Sequence, residues 1–562
     1  MKKIKRLLIV GGVAGGASCA ARARRLSEAA RIIIFERGPY VSFANCGLPY
    51  YVGNVIEKED ELLVADPELF RNRFNIDVRT QHNVRRIFPG QREVEIEALS
   101  TGRIYREPYD ALVLSPGSEP LRPDIKGLGL EGLFSVETIP DTRKIIAWLR
   151  RKAVRRAVIV GGGFIGLEMA ENLSKLGIKL CIVEMQRQVM PNMDPEMAAF
   201  VQNHLEEKQI SLYLGSPVVE FSRDRGDKLR ILLASGKSLT ADMVILALGV
   251  RPRTELARTA GLTIGETGGI QVDEKMQTSD KNIWAVGDAV EIKNFLTARP
   301  NVVPLAGPAN RQGRIAADAI MGLDRHTHVF RGTQATAVCG VLGLTIASTG
   351  LTEKILKDPS LKGPDFTYEK IYLHPNQHAG YYPDAKTITL KLIFSKKDGK
   401  ILGAQAVGLA GVAKRIDVIS MAIQKNATVF DLEEAELCYA PQYGSAKDPV
   451  NLAGMIAANV LRGHVSVGHW ENLPAADPMI LDVRDADEFE KQRLRGAVNI
   501  PLNDLRSRVS ELPVDREIWT YCKVGQRSYY GSRILAQSGL KVKNISGGIL
   551  MHGAVKKSKP PA

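Results

Sequence analysis

Two cysteines of this 562-residue chain stand where a thiol could react. The first lies in Val41-Ser42-Phe43-Ala44-Asn45-Cys46-Gly47-Leu48-Pro49-Tyr50-Tyr51, where Pro49 to Tyr51 offer Cys46 no second thiol. A lone thiolate has three options, a mixed disulfide, a persulfide or a sulfenic acid. The second follows the apolar run Ile518-Trp519-Thr520-Tyr521 and opens the loop Cys522-Lys523-Val524-Gly525-Gln526-Arg527-Ser528. A cysteine at a strand end, in a short loop leading to a helix, meets backbone N–H groups and a helix dipole. Both lower a thiol pKa and can cradle a persulfide. The other cysteines, Cys19, Cys181, Cys339 and Cys438, read as small buried hydrophobes. The six lie far apart without paired spacing, which argues against a secreted disulfide framework and against any metal, and for a reducing cytoplasm.

The elements around Cys46 follow from a strand–turn–helix–strand pattern. Leu7-Leu8-Ile9-Val10 is a buried-strand run, followed by Gly11-Gly12-Val13-Ala14-Gly15-Gly16, an alanine-rich helical stretch, and the strand Ile32-Ile33-Ile34-Phe35 ending at Glu36 and Arg37. Glycines there let the backbone approach a pyrophosphate at a helix N-terminus, and an acid at the second strand's end accepts from a ribose hydroxyl. Val13 stands where the middle glycine of the fingerprint falls. The pattern returns 150 residues later as Ala157-Val158-Ile159-Val160, Gly161-Gly162-Gly163-Phe164-Ile165-Gly166, a helix, and Leu180-Cys181-Ile182-Val183-Glu184. Two such units imply FAD in one and a nicotinamide nucleotide in the other. Glu184 favours the free 2′-hydroxyl of NADH, and the nearby Arg187 leaves NADPH open.

A third segment, Thr278-Ser279-Asp280-Lys281-Asn282-Ile283-Trp284-Ala285-Val286-Gly287-Asp288-Ala289, resembles the closing segment of the FAD site in two-dinucleotide flavoproteins such as glutathione reductase, NADH oxidase and NADH peroxidase. Ser115-Pro116-Gly117 and Leu248-Gly249-Val250-Arg251-Pro252 are further landmarks of that family. The string S-F-x-x-C-G-x-P-Y-Y narrows the resemblance to coenzyme A disulfide reductases and NADH-dependent persulfide and polysulfide reductases. Disulfide reductases of the wider two-dinucleotide flavoprotein family carry C-x-x-x-x-C near this place, where this chain has only Cys46. By this resemblance Asp288 would bond the flavin's ribityl chain. The face formed by Ser18, Arg22 and Arg25, with Ser42 and Asn45, would hold coenzyme A, and Arg71 or Arg73 would add a contact at the entrance. Residues 331–455 would form a dimerisation domain that completes the partner subunit's site. There His378-Ala379-Gly380-Tyr381-Tyr382-Pro383 and Cys438-Tyr439-Ala440-Pro441-Gln442-Tyr443 supply candidate proton donors to a leaving thiolate, Tyr381 and Tyr439 first and then Tyr443.

Beyond His464, Ile480-Leu481-Asp482-Val483-Arg484-Asp485 and Leu494-Arg495-Gly496-Ala497-Val498-Asn499-Ile500-Pro501-Leu502, with the Cys522 loop, resemble a rhodanese domain. The spacing of Cys522 to Arg527, C-x-x-x-x-R, is the loop length associated with sulfur transfer. The aromatic ending usual in that family is reduced here to Gly547-Gly548-Ile549-Leu550-Met551-His552, which puts substrate choice in question.

The expected architecture is therefore α/β. An FAD-binding domain spans 1–115 and 250–330, an NAD(P)H-binding domain 116–249, an α+β dimerisation domain 331–455 and a C-terminal α/β rhodanese domain 466–556. The length fits several cores, because one core stops growing near ~250–300 residues. Composition agrees with a globular chain, 44% hydrophobic and 25% charged, without an apolar run long enough to span a membrane. The MKKIKRLLIVGG start reads as a first strand and not as a targeting segment. The net charge of +14 comes from scattered basic residues with no nucleic-acid motif, so the expected partners are phosphate-bearing small molecules. The leading expectation is a cytoplasmic homodimer in which NADH and FAD serve reduction of a persulfide, a polysulfide or coenzyme A disulfide at Cys46, with Cys522 handling sulfane sulfur. The alternatives are an NADH oxidase or peroxidase that uses Cys46 as a sulfenic acid, and a non-catalytic sulfur-carrier or redox-sensing module.

Overall fold

The fold was analysed in a computed structural model that describes residues 4–322, 328–361 and 366–558. The chain divides into two compact units, Met1–Ile182 with Val218–Ala335, and Val183–Pro217 with Thr336–Ala562.

In the first unit, Arg6–Val10 pairs in parallel with Arg31–Glu36 and with Ala111–Leu114. Ile283–Ala285 and Asp77–Thr80 extend the sheet to five strands. A parallel sheet covered on both faces demands continuous apolar strands, and Leu7, Leu8 and Ile9 are all fully buried. The helix Ala14–Leu26 packs on the helix Ala306–Met321 at very close range, for a Cβ at Gly313 would fall 2.2 Å from the carbonyl oxygen of Gly15. Strand Arg156–Val160 begins the second dinucleotide motif and pairs with Met243–Leu246, which in turn pairs with Leu133–Phe134. The helix Phe164–Lys175 follows its glycine turn. A three-stranded antiparallel sheet, His82–Phe88, Glu93–Ala98 and Arg103–Pro108, lies between the landmarks of the first motif.

The second unit carries a five-stranded antiparallel sheet in the order Ala337–Val341, Leu344–Gly350, Ile401–Gly408, Ile388–Ser395, Tyr368–Leu373. It also carries a five-stranded parallel sheet in the order Val467–Gly468, Val542–Ile545, Ile518–Tyr521, Met479–Asp482, Val498–Asn499. Under the antiparallel sheet, the ammonium of Lys391 is fully buried among three carboxylates, 2.7 Å from Asp194, 2.5 Å from Glu196 and 2.6 Å from Glu353. These carboxylates lie close enough together to hold a cation, and the lysine supplies it. The α/β architecture expected from the sequence is the one observed. No helix among the described residues is long and apolar enough to cross a membrane.

Candidate active sites

Both glycine turns are built alike. A Cβ at Gly16 would stand 1.9 Å from the carbonyl oxygen of Gly11, and one at Gly166 would stand 2.0 Å from that of Gly161. The third glycine of each motif, Gly16 or Gly166, is thus required for the helix to seat on its strand. The middle position is different. Val13 has φ −94° and Gly163 φ −83°, neither in the left-handed region, and a Cβ at Gly163 would meet nothing within 4 Å. A valine is tolerated at position 13 for that reason. Gly11 (φ +90°) and Gly161 (φ +113°) each pass so near the next strand end, at Ser115 and Ala247, that only glycine fits.

Glu36 ends the second strand and accepts from the N–H of Gly12 at 2.9 Å and of Gly38 at 2.8 Å, while Arg37 is exposed beside it. Burial pushes the Glu36 carboxyl up, and the two backbone donors oppose that. Glu184 repeats the arrangement in the second unit, accepting from the Gln186 N–H at 2.8 Å. Asp288 sits in a single 3-10 turn, Gly287–Ala289, and accepts from the Ser118 hydroxyl at 3.0 Å; burial raises its pKa. The Gly287 N–H donates to the buried Gln312 at 2.7 Å, a contact that no motif announced. Gly117 and Gly249 both adopt left-handed φ; a Cβ at Gly117 would meet nothing within 4 Å, and one at Gly249 would touch the Leu121 side chain at 3.4 Å. A turn whose first and last glycines are closed by backbone, with Phe164 and Ile165 opening the second helix, fits a dinucleotide pyrophosphate.

Cys46 is exposed in a one-turn helix, Asn45–Gly47, that runs into the helix Leu48–Val52. Its loop is tied to the first glycine turn, because Ser42, in the left-handed region at φ +50°, donates its N–H to the Gly12 carbonyl at 2.8 Å. The Leu48–Val52 helix lies against the helix Phe164–Lys175 so closely that a Cβ at Gly53 would collide with Asn172. That packing delivers Glu168, whose carboxylate accepts from the Tyr50 hydroxyl at 3.4 Å. Burial pushes Glu168 up to about 7. Partial desolvation, then the charges of Glu168 and Asp288, push the Cys46 thiol up. Glu168 is the residue acting on Cys46 that motif reading missed. Its signal was its place two residues past Gly166, in the first turns of the helix Phe164–Lys175.

The basic helix face is only partly open. Arg22 is bonded to Asp318 at 2.6 Å, Ser18 pairs with Asn310, and Arg25 is exposed. Arg71 and Arg73 are exposed on the helix Pro67–Phe74. Arg24, between Arg22 and Arg25 in sequence, is buried and donates to the carbonyls of Ser27, Glu28, Phe74 and Asn75.

In the second unit the Tyr381 and Tyr439 hydroxyls meet at 3.0 Å, both rings exposed, and Tyr443 is exposed on the same loop as Tyr439. Their loops are held together by the Ala379 N–H bonding the Gly444 carbonyl at 2.9 Å and by the buried Arg415–Asp448 pair at 2.7 Å. The bond to Tyr439 holds the Tyr381 phenol above its usual range.

Cys522 is only 1% exposed. The Gly525 N–H points at its sulfur at 3.1 Å, the Ser528 hydroxyl lies at 3.5 Å, and the helix Gln526–Gln537 starts directly behind. Gly548 braces the loop from the far side. The Ile549 N–H donates to the Cys522 carbonyl at 2.8 Å, and a Cβ at Gly548 would stand 2.5 Å from that oxygen. The pair Gly547-Gly548 is itself anchored, with the Trp470 indole donating to the Gly548 carbonyl at 2.8 Å and His374 3.2 Å from the Gly547 carbonyl. Arg527 bonds Glu488 through both terminal nitrogens, at 2.6 and 2.8 Å, and Asp485 at 3.2 Å.

The remaining cysteines require one correction. Cys19 and Cys339 are buried and Cys181 half-buried, with burial pushing the thiols of Cys19 and Cys181 up to about 12 and about 11. Cys438 is exposed instead of buried, because it lies in the irregular loop before Tyr439, outside any strand or helix.

Residues 5–313 match the pyridine nucleotide-disulphide oxidoreductase family, residues 336–448 the dimerisation domain of the same family, and residues 469–550 the rhodanese-like domain. An NADH oxidase of Methanocaldococcus jannaschii is 36% identical over 80% of this chain and 97% of its own length. A coenzyme A disulfide reductase of Staphylococcus epidermidis is 34% identical over 80% of this chain and 99% of its own. Two solved structures span the C-terminal region as well. Reduced CoADR-RHD of Bacillus anthracis is 45% identical with a TM-score of 0.95, covering 99% of this chain and 98% of that one. An NAD-dependent persulfide reductase from A. fulgidus is 39% identical with a TM-score of 0.90, covering 97% and 99%.

Proposed function

The chain belongs to the pyridine nucleotide-disulphide oxidoreductase family, and on that premise we propose that it is an FAD-dependent NAD(P)H oxidoreductase that reduces persulfide, polysulfide or coenzyme A disulfide sulfur at Cys46. The observation that carries this reading is the exposed Cys46 thiol, tied by Ser42 to the first glycine turn, with Glu168 and Asp288 acting on it. Gly11 to Gly16, Glu36, Ser115 and Asp288 would hold FAD, which would supply the two-electron step between NADH and sulfur. Gly161, Gly163, Phe164, Ile165, Gly166 and Glu184 serve the nicotinamide nucleotide, with NADH preferred.

Cys46 attacks the outer sulfur of a persulfide. One sulfur–sulfur bond forms to Cys46 as the substrate's own breaks, and the thiol leaves with a proton. Two electrons and a proton then release hydrogen sulfide and restore Cys46. Glu168, which changes protonation near neutrality, holds a proton within electrostatic reach of that sulfur. Ser18, Arg22, Arg25, Ser42 and Asn45 bind the coenzyme A moiety, with Arg71 and Arg73 at its entrance. In a homodimer the exposed Tyr381–Tyr439 pair, followed by Tyr443, donates to the leaving thiolate. Cys522 collects sulfane sulfur as its own persulfide.

The test is NADH consumption with coenzyme A persulfide by the native protein and by Cys46→Ser. Equal rates would sink the reading. Rapid NADH-dependent peroxide consumption without any thiol substrate would favour the oxidase and peroxidase chemistry instead.

A further inference from the structure

Taking Cys522 as a sulfur acceptor, which rests on the reading above, the geometry of its loop says which donors it accepts. The sulfur sits in a pocket of backbone and hydroxyl donors, so negative charge on it is accommodated locally. A donor must also have its leaving group stabilised. Between Cys522 and Ser528 there are two cations, Lys523 and Arg527. Lys523 is exposed, whereas Arg527 is half-buried and within electrostatic range of the Cys522 sulfur. Arg527 is the cation placed to meet a leaving group.

Its charge is already answered. Glu488 takes both terminal nitrogens in a two-pronged pair, and Asp485 adds a second carboxylate. Asp485 is the N-cap of the short helix Ala486–Lys491 and Glu488 lies in its first turn, and the Glu488 N–H bonds the Asp485 carbonyl at 3.1 Å, so the two acids are held as a unit. A two-pronged guanidinium–carboxylate pair is the strongest ion-pair geometry available to arginine, and it is not given up for a loosely held anion.

We propose that Glu488 and Asp485 are specificity-determining residues that exclude dianionic sulfane donors from Cys522 and leave organic persulfides as its donors. The two transfers differ in what departs. From an organic persulfide, the Cys522 thiolate takes the outer sulfur, one sulfur–sulfur bond forms as another breaks, and a thiolate with a single charge leaves. From thiosulfate the same exchange releases sulfite, carrying two charges past two carboxylates. Neither transfer needs an oxidant or a reductant. Only the second needs a free cation at the mouth of the loop, and Arg527 is not free.

The experiment uses the full chain without NADH and follows the persulfide on Cys522 by mass, with glutathione persulfide and thiosulfate as the two donors. In Glu488→Gln, thiosulfate loading rises about tenfold or more while persulfide loading stays within about twofold, as the removal of one nearby like charge requires. Asp485→Asn, at a more exposed position, gives the same direction with a smaller rise. An unchanged ratio of the two rates in both variants overturns the proposal, as does a native protein that loads from thiosulfate as fast as from the persulfide. No loading of Cys522 by either donor also overturns it. None of these outcomes bears on NADH oxidation at Cys46, which is measured separately.

Discussion

Cys46 and Cys522 are two thiols placed in opposite surroundings. Cys46 is exposed, its loop fixed by a backbone bond to a glycine turn, and partial desolvation and then two carboxylates push its thiol up. Cys522 is buried, with a backbone N–H and a hydroxyl aimed at its sulfur and a helix start behind. The difference teaches that one chain serves sulfur chemistry by two devices. At Cys46 access and a titratable neighbour are arranged, which suits a thiol that must meet a large substrate and exchange protons. At Cys522 a preformed anion nest is arranged, which suits a thiol that must store a sulfur.

The comparison breaks outright if the roles can be exchanged. Cys46→Ser lowers sulfur-dependent NADH oxidation by more than about a thousandfold, while Cys522 still loads with sulfane sulfur. Cys522→Ser keeps NADH turnover with free coenzyme A persulfide; steady-state kinetics and intact mass read the two activities. A loss of both activities in either variant would mean one shared site.

The next largest effect is on the nest. Gly548→Val places a branched Cβ where only 2.5 Å separates it from the Cys522 carbonyl, at a residue with φ +62°. Displacing that loop by about an ångström lowers Cys522 loading about a hundredfold and leaves NADH turnover with a small persulfide unchanged.

The ligand side of the Cys46 site is sharpened by Arg22→Ala. Loss of a charge-assisted contact raises KM for coenzyme A persulfide about tenfold, without raising it for glutathione persulfide. An equal rise for both would assign Arg22 to the Asp318 contact alone.

The smallest expected effect concerns Glu168→Gln. The Glu168 carboxyl is raised to about 7, so in the native protein it gains negative charge as the pH passes through that value, and that charge holds the Cys46 thiol up. Removing it moves the midpoint of Cys46 alkylation by iodoacetamide to lower pH by roughly half to one pH unit. An unmoved midpoint would uncouple the two groups.

Much of this was legible in the sequence because it rests on local pattern. Apolar runs, glycine turns and terminal acids determined two dinucleotide motifs, since a strand, a tight turn and a helix N-terminus are set by neighbours in the chain. The lone Cys46 and the Cys522 loop were legible for the same reason, as was the change of character after residue 463. Contacts between residues far apart in sequence were left to the tertiary structure. The approach of Glu168 to Cys46 depends on how the Leu48–Val52 helix packs on the Phe164–Lys175 helix. The engagement of Arg22 by Asp318, almost 300 residues later, depends on two helices brought together at Gly15 and Gly313. Arg527 was legible as a cation, and the carboxylates of Glu488 and Asp485 that neutralise it were not. Residue type states what a group can do, and only packing decides which charges and donors surround it when it acts.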